Sequence, residues 1–217
     1  MSIPSYAYST EHLEAADGGE RYIAHTGAYT GTIDYARAIQ SSKGAWGVEL
    51  GFVADDGRKP KYPLTLWTLS ADGKRYFGHD LLDALLVCAG VESGLKPGKV
   101  RYWRWDRELG EEVEAVGDGY PALKGKRVGL LLQRELYTTA QGKEASRLNI
   151  VGVFDPTTRQ TASEKAAGLE PKKLSERLAS LKDKDSRKSS DEALSRTLGA
   201  AAMAGGSGFD DFADAPF

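Results

Sequence analysis

The sequence predicts a mainly β domain followed by a long polar tail, and three observations support this prediction. Several segments alternate apolar and polar residues with a period of two, which is typical of half-buried strands. The 217-residue chain contains 25 glycines, which suits a fold with many turns and bulges. After Asp155 the composition changes, and residues 157–208 contain no aromatic side chain. We therefore expect a loosely attached arm (residues 1–26), a domain (residues 27–155) and a tail.

The first three strands are predicted in the N-terminal half of the domain. Residues 29–36, 46–52 and 61–70 alternate, and two Gly-containing turns, residues 41–44 and 55–57, separate the runs. In the second run Trp46 shares its face with three apolar residues, which favours a core position for it. In the third run Trp67 lies opposite the two leucines of the apolar face, so it is the better candidate for a stacking side chain.

A helix and two further strands complete the predicted domain. Asp80 is the expected N-cap of the helix and Gly90 its C-cap. Strands are predicted at residues 126–136 and 148–154. Between the helix and the first of these strands, residues 101–105 and the acidic residues 111–114 form either a β-ribbon or an inserted loop. Three strands, a helix and two strands is the element order of an OB-fold, a five-stranded Greek-key barrel with one helix. A small β-sandwich could give the same order.

The residues after the domain are predicted to be a largely disordered tail. Residues 156–208 are rich in Thr, Ser, Ala, Lys, Glu and Gly, so they cannot bury enough apolar surface to offset their ordering entropy. We expect them to act as a flexible linker. Two weak helical patterns remain, marked by leucines at helical spacing: Leu174, Leu178 and Leu181 in one, Leu194 and Leu198 in the other.

The last nine residues, 209–217, combine acidic and aromatic side chains and end in Pro-Phe. In order they are Phe209, Asp210, Asp211, Phe212, Ala213, Asp214, Ala215, Pro216 and Phe217, and a Gly-Gly-Ser-Gly spacer precedes them. This segment resembles the C-terminal tip of bacterial and phage single-stranded DNA-binding proteins, which is acidic and ends in Pro-Phe. Ala215 stands where the bacterial tip usually has isoleucine. The divergent domain with its separate tail is more phage-like than bacterial.

The resemblance implies a protein that coats single-stranded DNA during replication, recombination or repair, in the cytoplasm of a bacterial host. It also implies that the tip recruits a polymerase, helicase or nuclease. The chemistry fits, because Phe217 offers a ring and a carboxylate to one pocket, and Pro216 stiffens the approach. The aspartates would steer the tip toward a basic surface. The expected partner-binding residues are Phe209, Asp210, Asp211, Phe212, Asp214, Pro216 and Phe217.

Candidate DNA contacts follow from the way single-strand binders combine stacking aromatic rings with basic residues. The best candidate is residues 99–107, where an extended strand places Arg101, Trp103 and Trp105 on one face, with Tyr102 and Arg104 on the other. One of these faces could instead belong to the core. The remaining candidates lie at two turns, on the third strand and at the start of the fourth: Lys43, Trp46, Trp67, Lys74, Arg75, Tyr76, Lys126 and Arg127.

The charge and motif content narrow the possible functions. The net charge is −2, which is not the basic balance of a duplex-binding protein. DNA binding would therefore use a local site, without sequence preference and with a shallow salt dependence. No P-loop, metal-ligand spacing or nucleophile motif is present, and the lone Cys88 falls in an apolar helix face. We expect no catalysis, no cofactor and no metal.

Other interpretations remain open from the sequence. The main alternative is a replication-associated adaptor whose domain binds another protein and whose tail only mimics that of a single-strand binder. A more distant one is a DNA-metabolising enzyme with an unrecognised site. No apolar run approaches the roughly 20 residues of a membrane span, so no membrane partner is expected. Self-association into a homo-oligomer is left open.

Overall fold

The computed structural model describes residues 22–187 except Arg107 and Ala140. The described part of the chain is mainly β, as predicted. Its strands are β1 (Tyr22–Ile23), β2 (Gly27–Gln40), β3 (Trp46–Ala54), β4 (Lys59–Pro60), β5 (Leu64–Leu69), β6 (Gly98–Asp106), β7 (Glu111–Gly119), β8 (Arg127–Thr138), β9 (Glu144–Phe154) and β10 (Lys184–Asp185). Its helices are α1 (Phe77–Ala89), α2 (Ala162–Ala167) and α3 (Lys173–Ser180), with a 3-10 turn at Pro121–Leu123.

The main sheet is built around the long strand β2. Strand β2 pairs antiparallel with β3 on one side and with β8 on the other, while β5 extends the sheet beyond β3 and β9 extends it beyond β8. Strands β6 and β7 form a two-stranded ribbon that joins β2 through the pair Arg37 and Gly119. No hydrogen-bonded register joins β5 to β9 among the described residues, so the sheet is not closed into the predicted barrel.

The core lies between the inner face of this sheet and helix α1. Leu50, Leu64, Leu85 and Leu130 are fully buried there. A smaller cluster on the opposite face contains Phe154, whose ring lies directly over the backbone of β8. A Cβ built on Gly129 would lie 2.3 Å from that ring, so only glycine permits this contact.

Helix α1 follows the predicted pattern at its C-terminal end but not at its start. It begins at Phe77, with Tyr76 at the N-cap position, so Asp80 lies in the first turn instead of capping the helix. Gly90 is confirmed as the C-cap: its φ is 63°, and its N–H donates to the carbonyls of the last turn. Four residues of α1 are buried, all on one face: Leu81, Leu82, Leu85 and Cys88.

Residues 156–187 pack on the domain, where the sequence favoured a flexible linker from residue 156 onward. Helix α3 buries Leu174 against Leu131 and Phe154, the small cluster on the outside of the sheet. The buried Glu164 of α2 accepts hydrogen bonds from the backbone N–H groups of Lys172 and Lys173, which ties α2 to α3. The folded domain thus includes residues 156–187. The second predicted helical pattern, at Leu194 and Leu198, lies outside the described residues.

The end of the expected N-terminal arm also belongs to the domain. Strand β1 pairs parallel with β4, with Tyr22 opposite Lys59 and Ile23 opposite Pro60. Ile23 is buried in the main core. Residues 1–21 lie outside the described part of the chain.

Candidate nucleic-acid interface

The ribbon formed by β6 and β7 presents two tryptophans to solvent. Alternation along β6 places Arg101, Trp103 and Trp105 on one face, which resolves the choice between a ribbon and a loop. Trp103 is 50% exposed and Trp105 62% exposed, so this face is not part of the core. Large exposed rings on a paired strand are suited to stacking against an aromatic or apolar partner.

The charges on this face of the ribbon are balanced, not basic. Across the ribbon, Trp103 lies opposite Glu114 and Trp105 opposite Glu112. Arg101 lies 3.7 Å from the Glu114 carboxylate, between Nη1 and Oε1. The neighbouring Lys99 and Asp118 form an ion pair, with 2.7 Å between Nζ and Oδ1. A phosphate near the tryptophans would therefore meet carboxylates as well as basic groups, so any DNA contact here would depend on the rings.

The opposite face of the ribbon anchors it to the sheet. The Tyr102 ring packs against Tyr35, with 5.9 Å between ring centroids, and the Arg37 guanidinium lies 4.4 Å from the Tyr102 centroid. Arg37 is held in turn by both carboxylate oxygens of Glu49, at 3.0 and 2.8 Å. Burial raises the pKa of the Tyr35 phenol, and the Glu49 carboxylate raises it further. Tyr102 is thus a packing residue, whereas Arg104 on the same strand is exposed.

The two turns that carry Lys43 and Lys74 lie side by side. Gly44 approaches Ala71 so closely that a Cβ on Gly44 would lie 3.1 Å from the Ala71 Cβ. The Lys74 ammonium is highly exposed and lies 3.4 Å from the Asp72 carboxylate. The fold therefore brings together two turns, each with a lysine, that are separated in the sequence.

Trp46 and Tyr76 flank the end of β5 beside these turns. The Thr68 hydroxyl donates to the Trp46 carbonyl at 3.1 Å, and the Tyr76 N–H donates to the Thr68 carbonyl at 2.9 Å. Trp46 is 48% exposed, so the expected core position is wrong. The reason is a register shift between Trp46 and Gly47, which interrupts the alternation that the sequence pattern assumed. Arg75 is engaged by Asp83, at 2.7 Å, and by Asp80.

Trp67 lies half-buried on the outer face of the sheet. A Cβ on Gly47 would lie 2.9 Å from its six-membered ring, so the indole covers the backbone of β3 at this glycine. Trp67 is on the face opposite the buried Leu64 and Leu66, as the sequence predicted. One side of its ring is therefore occupied by the protein itself.

Lys126 and Arg127, the last two predicted DNA contacts, lie at the start of β8, apart from the ribbon and from the two turns. The Arg127 guanidinium reaches across β2 to Asp55, with 2.6 Å between Nη2 and Oδ2. Hydrogen bonds from Arg127 and Thr30 lower the pKa of Asp55. Arg127 thus has a structural partner, whereas the Lys126 side chain has none among the described residues. The predicted DNA contacts fall into separate groups on the ribbon, at the turns, on β5 and at this point.

The structure also exposes a basic stretch that was not among the predicted contacts, Arg58-Lys59-Pro60-Lys61-Tyr62. The sequence does contain a sign of this stretch, because three basic residues stand beside a tyrosine between two strands. Tyr62 is 51% exposed, and the Lys61 ammonium lies 5.5 Å from the centroid of its ring. This combination of charge and aromatic surface is of the kind that binds single-stranded nucleic acid.

The described residues also bear on thiol reactivity, metal binding and membrane spanning. Burial raises the pKa of the Cys88 thiol to about 11, which disfavours the reactive thiolate. Among the described residues, no group of three or more His, Cys, Asp or Glu side chains could hold a metal ion. In the same part of the chain, no helix has the length and apolar character needed to cross a membrane. All seven predicted partner-binding residues, from Phe209 to Phe217, lie outside the described residues.

Comparison with known proteins does not assign the chain to a family. No protein-family model matches the sequence, and no curated protein is significantly similar to it.

Proposed function

We propose that this protein binds single-stranded DNA without sequence preference, in phage DNA replication, recombination or repair within a bacterial host. The observation that carries the proposal is the exposed pair Trp103 and Trp105 on the β6–β7 ribbon. The ribbon is fixed to the sheet by Tyr102, so the two rings are held on a paired backbone instead of a loose loop. Pre-ordered rings lose little conformational entropy when bases stack on them.

The strand order supports an OB-fold of open form as the framework. Strands β2, β3, β5, β8 and β9, with α1 between β5 and β8, follow the order of the five OB strands and their helix. The antiparallel pairs β2–β3, β3–β5, β2–β8 and β8–β9 are those of that topology. In this interpretation the β6–β7 ribbon is an insertion after the helix.

The second half of the proposed function belongs to the C-terminal tip. Its acidic residues and terminal Pro-Phe are chemically suited to a partner pocket that combines an apolar cavity with a basic side chain. The partners would be replication or recombination proteins. Deletion of residues 209–217 should abolish partner recruitment while DNA binding is preserved or tightened. Loss of DNA binding in this deletion would contradict the division between domain and tip.

The central test compares the affinity of three proteins for labelled oligo-dT by fluorescence anisotropy. These are the wild type, the double variant Trp103→Ala/Trp105→Ala, and Phe77→Ala as a control for an exposed aromatic residue elsewhere. Each stacked base contributes roughly 1–3 kcal/mol, so at the lower limit the double variant should bind about thirty-fold more weakly. The control should bind like the wild type. Equal affinity of all three would refute the role of the ribbon.

A replication-associated adaptor is the second candidate, favoured by one specific observation. Glu112 and Glu114 lie opposite the two tryptophans, and their carboxylates would repel a phosphate chain but could pair with basic residues of a protein partner. In this case wild-type protein at micromolar concentration would bind neither oligo-dT nor duplex DNA. The same ribbon variant would then lose a protein partner instead.

A further inference from the structure

The basic stretch at residues 58–62 lies at the same end of the sheet as the start of β8. Ala54 at the end of β3 and Val128 at the start of β8 both pair with Gly31, from opposite sides of β2. The loop after β3 and the loop before β8 are thus separated by about 10 Å, two strand spacings. Their contact is direct, because Arg127 of one loop binds Asp55 of the other at 2.6 Å.

These two loops, residues 55–63 and 124–127, form what we call the basic end. Its six basic residues are Arg58, Lys59, Lys61, Lys124, Lys126 and Arg127, and its acidic residues are Asp55 and Asp56, with Asp34 nearby on β2. Arg127 pairs with Asp55, and Arg58 pairs with Asp56 at 2.8 Å. The four lysines have no carboxylate within 4.0 Å among the described residues. The basic end therefore carries unbalanced positive charge, in contrast to the outer face of the ribbon.

The backbone beneath these lysines is fixed. Strand β4 contains Lys59 and is held by its pairing with β1, whose Ile23 is buried in the core. In the other loop, Gly125 and Lys126 exchange backbone hydrogen bonds with Ile33 of β2, at 2.8 and 2.9 Å. The lysine side chains thus project from two ordered segments, with the exposed Tyr62 ring beside them.

We propose that the basic end binds the phosphate backbone of single-stranded DNA, on the same strand whose bases stack on the ribbon. This inference rests on the proposed function and adds the phosphate contacts that the balanced charge of the ribbon does not supply. Phosphate contacts give affinity without sequence preference, which is the behaviour proposed for the whole protein.

The separation of the two sites sets the length of DNA required. From Arg127, opposite Thr32, to the ribbon junction at Arg37 is five residues of β2, about 17 Å. From Gly119 to Glu114, opposite Trp103, is a further five residues of β7, again about 17 Å. A path of at most about 35 Å corresponds to at most roughly ten nucleotides at the 3.4 Å rise of a duplex strand, and to fewer if the single strand is extended.

The test measures the salt dependence of oligo-dT binding, followed by tryptophan quenching. The variants are Lys59→Gln/Lys61→Gln, Lys124→Gln/Lys126→Gln and the combined quadruple change. The control, Lys172→Gln/Lys182→Gln, removes the same charge as either pair from exposed lysines of the C-terminal segment. All substituted lysines are exposed except the half-buried Lys126, and an unchanged thermal unfolding midpoint would establish that the variants fold.

For single strands, the slope of log affinity against log salt is about −0.7 for each phosphate neutralised. With an oligo-dT of about 20 nucleotides, each pair of changes should make the slope shallower by about 1.4, and the quadruple change by about 2.8. The control should retain the wild-type slope. An oligo-dT of about four nucleotides is shorter than the path of about 35 Å between the two sites. Its quenching of the ribbon tryptophans should therefore be the same in the wild type and in the lysine variants.

The outcomes separate this inference from the proposed function. If the wild type binds the long oligo-dT and the quadruple variant has the same salt slope, the proposal for the basic end is overturned, while the proposed function of the protein stands. An equal reduction by the control would also overturn it, because the effect would then be one of net charge. If the basic end binds duplex but not oligo-dT, its assignment to single strands is wrong. Absence of any wild-type binding overturns both proposals.

Discussion

The most informative stability prediction concerns Glu135, a buried carboxylate on β8. One of its oxygens accepts hydrogen bonds from Arg147 and Asn149 of β9, at 2.9 and 2.7 Å. The other accepts from Ser186 at 2.7 Å and lies 2.8 Å from the Lys184 ammonium, both in the segment that contains β10. Glu135 thus joins the C-terminal segment to the sheet, and its replacement by Gln tests whether this junction stabilises the domain.

The expected magnitude follows from the pKa of Glu135. Burial alone would raise this pKa, but the hydrogen bonds from Lys184, Ser186, Asn149 and Arg147 outweigh burial and lower it from 4.5 to about 2. At full strength this difference corresponds to roughly 3 kcal/mol of folding free energy. Lys184 is 57% and Arg147 41% exposed, so solvent screens the interaction. We therefore expect Glu135→Gln to lower the free energy of unfolding by about 1–2 kcal/mol at neutral pH.

The pH dependence of this loss has a definite sign. Because the folded pKa is lower than the unfolded one, the carboxylate stabilises the domain fully above about pH 5 and loses its effect as the pH falls toward 2. By about pH 3 the benefit should be less than half its neutral value. Urea unfolding of the wild type, Glu135→Gln and the exposed control Glu170→Gln at both pH values measures this directly.

Two results would refute this reasoning. A destabilisation of the Gln variant that is the same at neutral pH and near pH 3 would show that the charge is not responsible. A destabilisation no greater than that of Glu170→Gln would show that the junction contributes nothing. Trypsin provides an independent readout, since release of β10 should accelerate cleavage after Lys182 and Lys184 in the Gln variant only.

Two further predictions concern packing. Leu174→Ala should lower the free energy of unfolding by about 2–5 kcal/mol because it empties a buried site, whereas Leu178→Ala, at a position 36% exposed, should have a much smaller effect. Equal effects in urea unfolding would show that α3 does not pack on the domain as described. Gly129→Ala should cost about 1–3 kcal/mol, because the new methyl group overlaps the Phe154 ring. The combined variant Gly129→Ala/Phe154→Leu should cost less than the sum of the two single changes, and strict additivity would argue against the overlap.

The local features of the domain were predictable because they depend on neighbours in the sequence. Alternation identified β2, β3 and β5, since a half-buried strand must place apolar side chains on every second residue, and apolar runs identified β8 and β9. Gly90 was recognisable as a C-cap, because its left-handed conformation strongly favours glycine. The same logic failed at Trp46, where the shifted register of β3 and β5 interrupts the alternation.

The candidate site was predictable in its aromatic residues but not in its charges. Alternation within residues 101–105 correctly placed Trp103 and Trp105 on one face. Which face would be exposed depended on where Tyr102 packs, and that contact is with Tyr35 and Arg37 of a distant strand. The acidic neighbours of the tryptophans follow only from the register of β6 with β7.

By itself, the sequence determined the mainly β character of the domain, the position of α1 and the chemical identity of the acidic C-terminal tip. Only the tertiary structure decided that residues 156–187 fold, because the burial of Leu174 depends on a cluster supplied by β8 and β9. It likewise joined two basic loops, separated by more than 60 positions in the sequence, into one charged surface. Composition is an average over a segment. Burial and charge balance depend instead on a few side chains that are in contact across different strands, and the order of residues in the chain does not reveal those contacts.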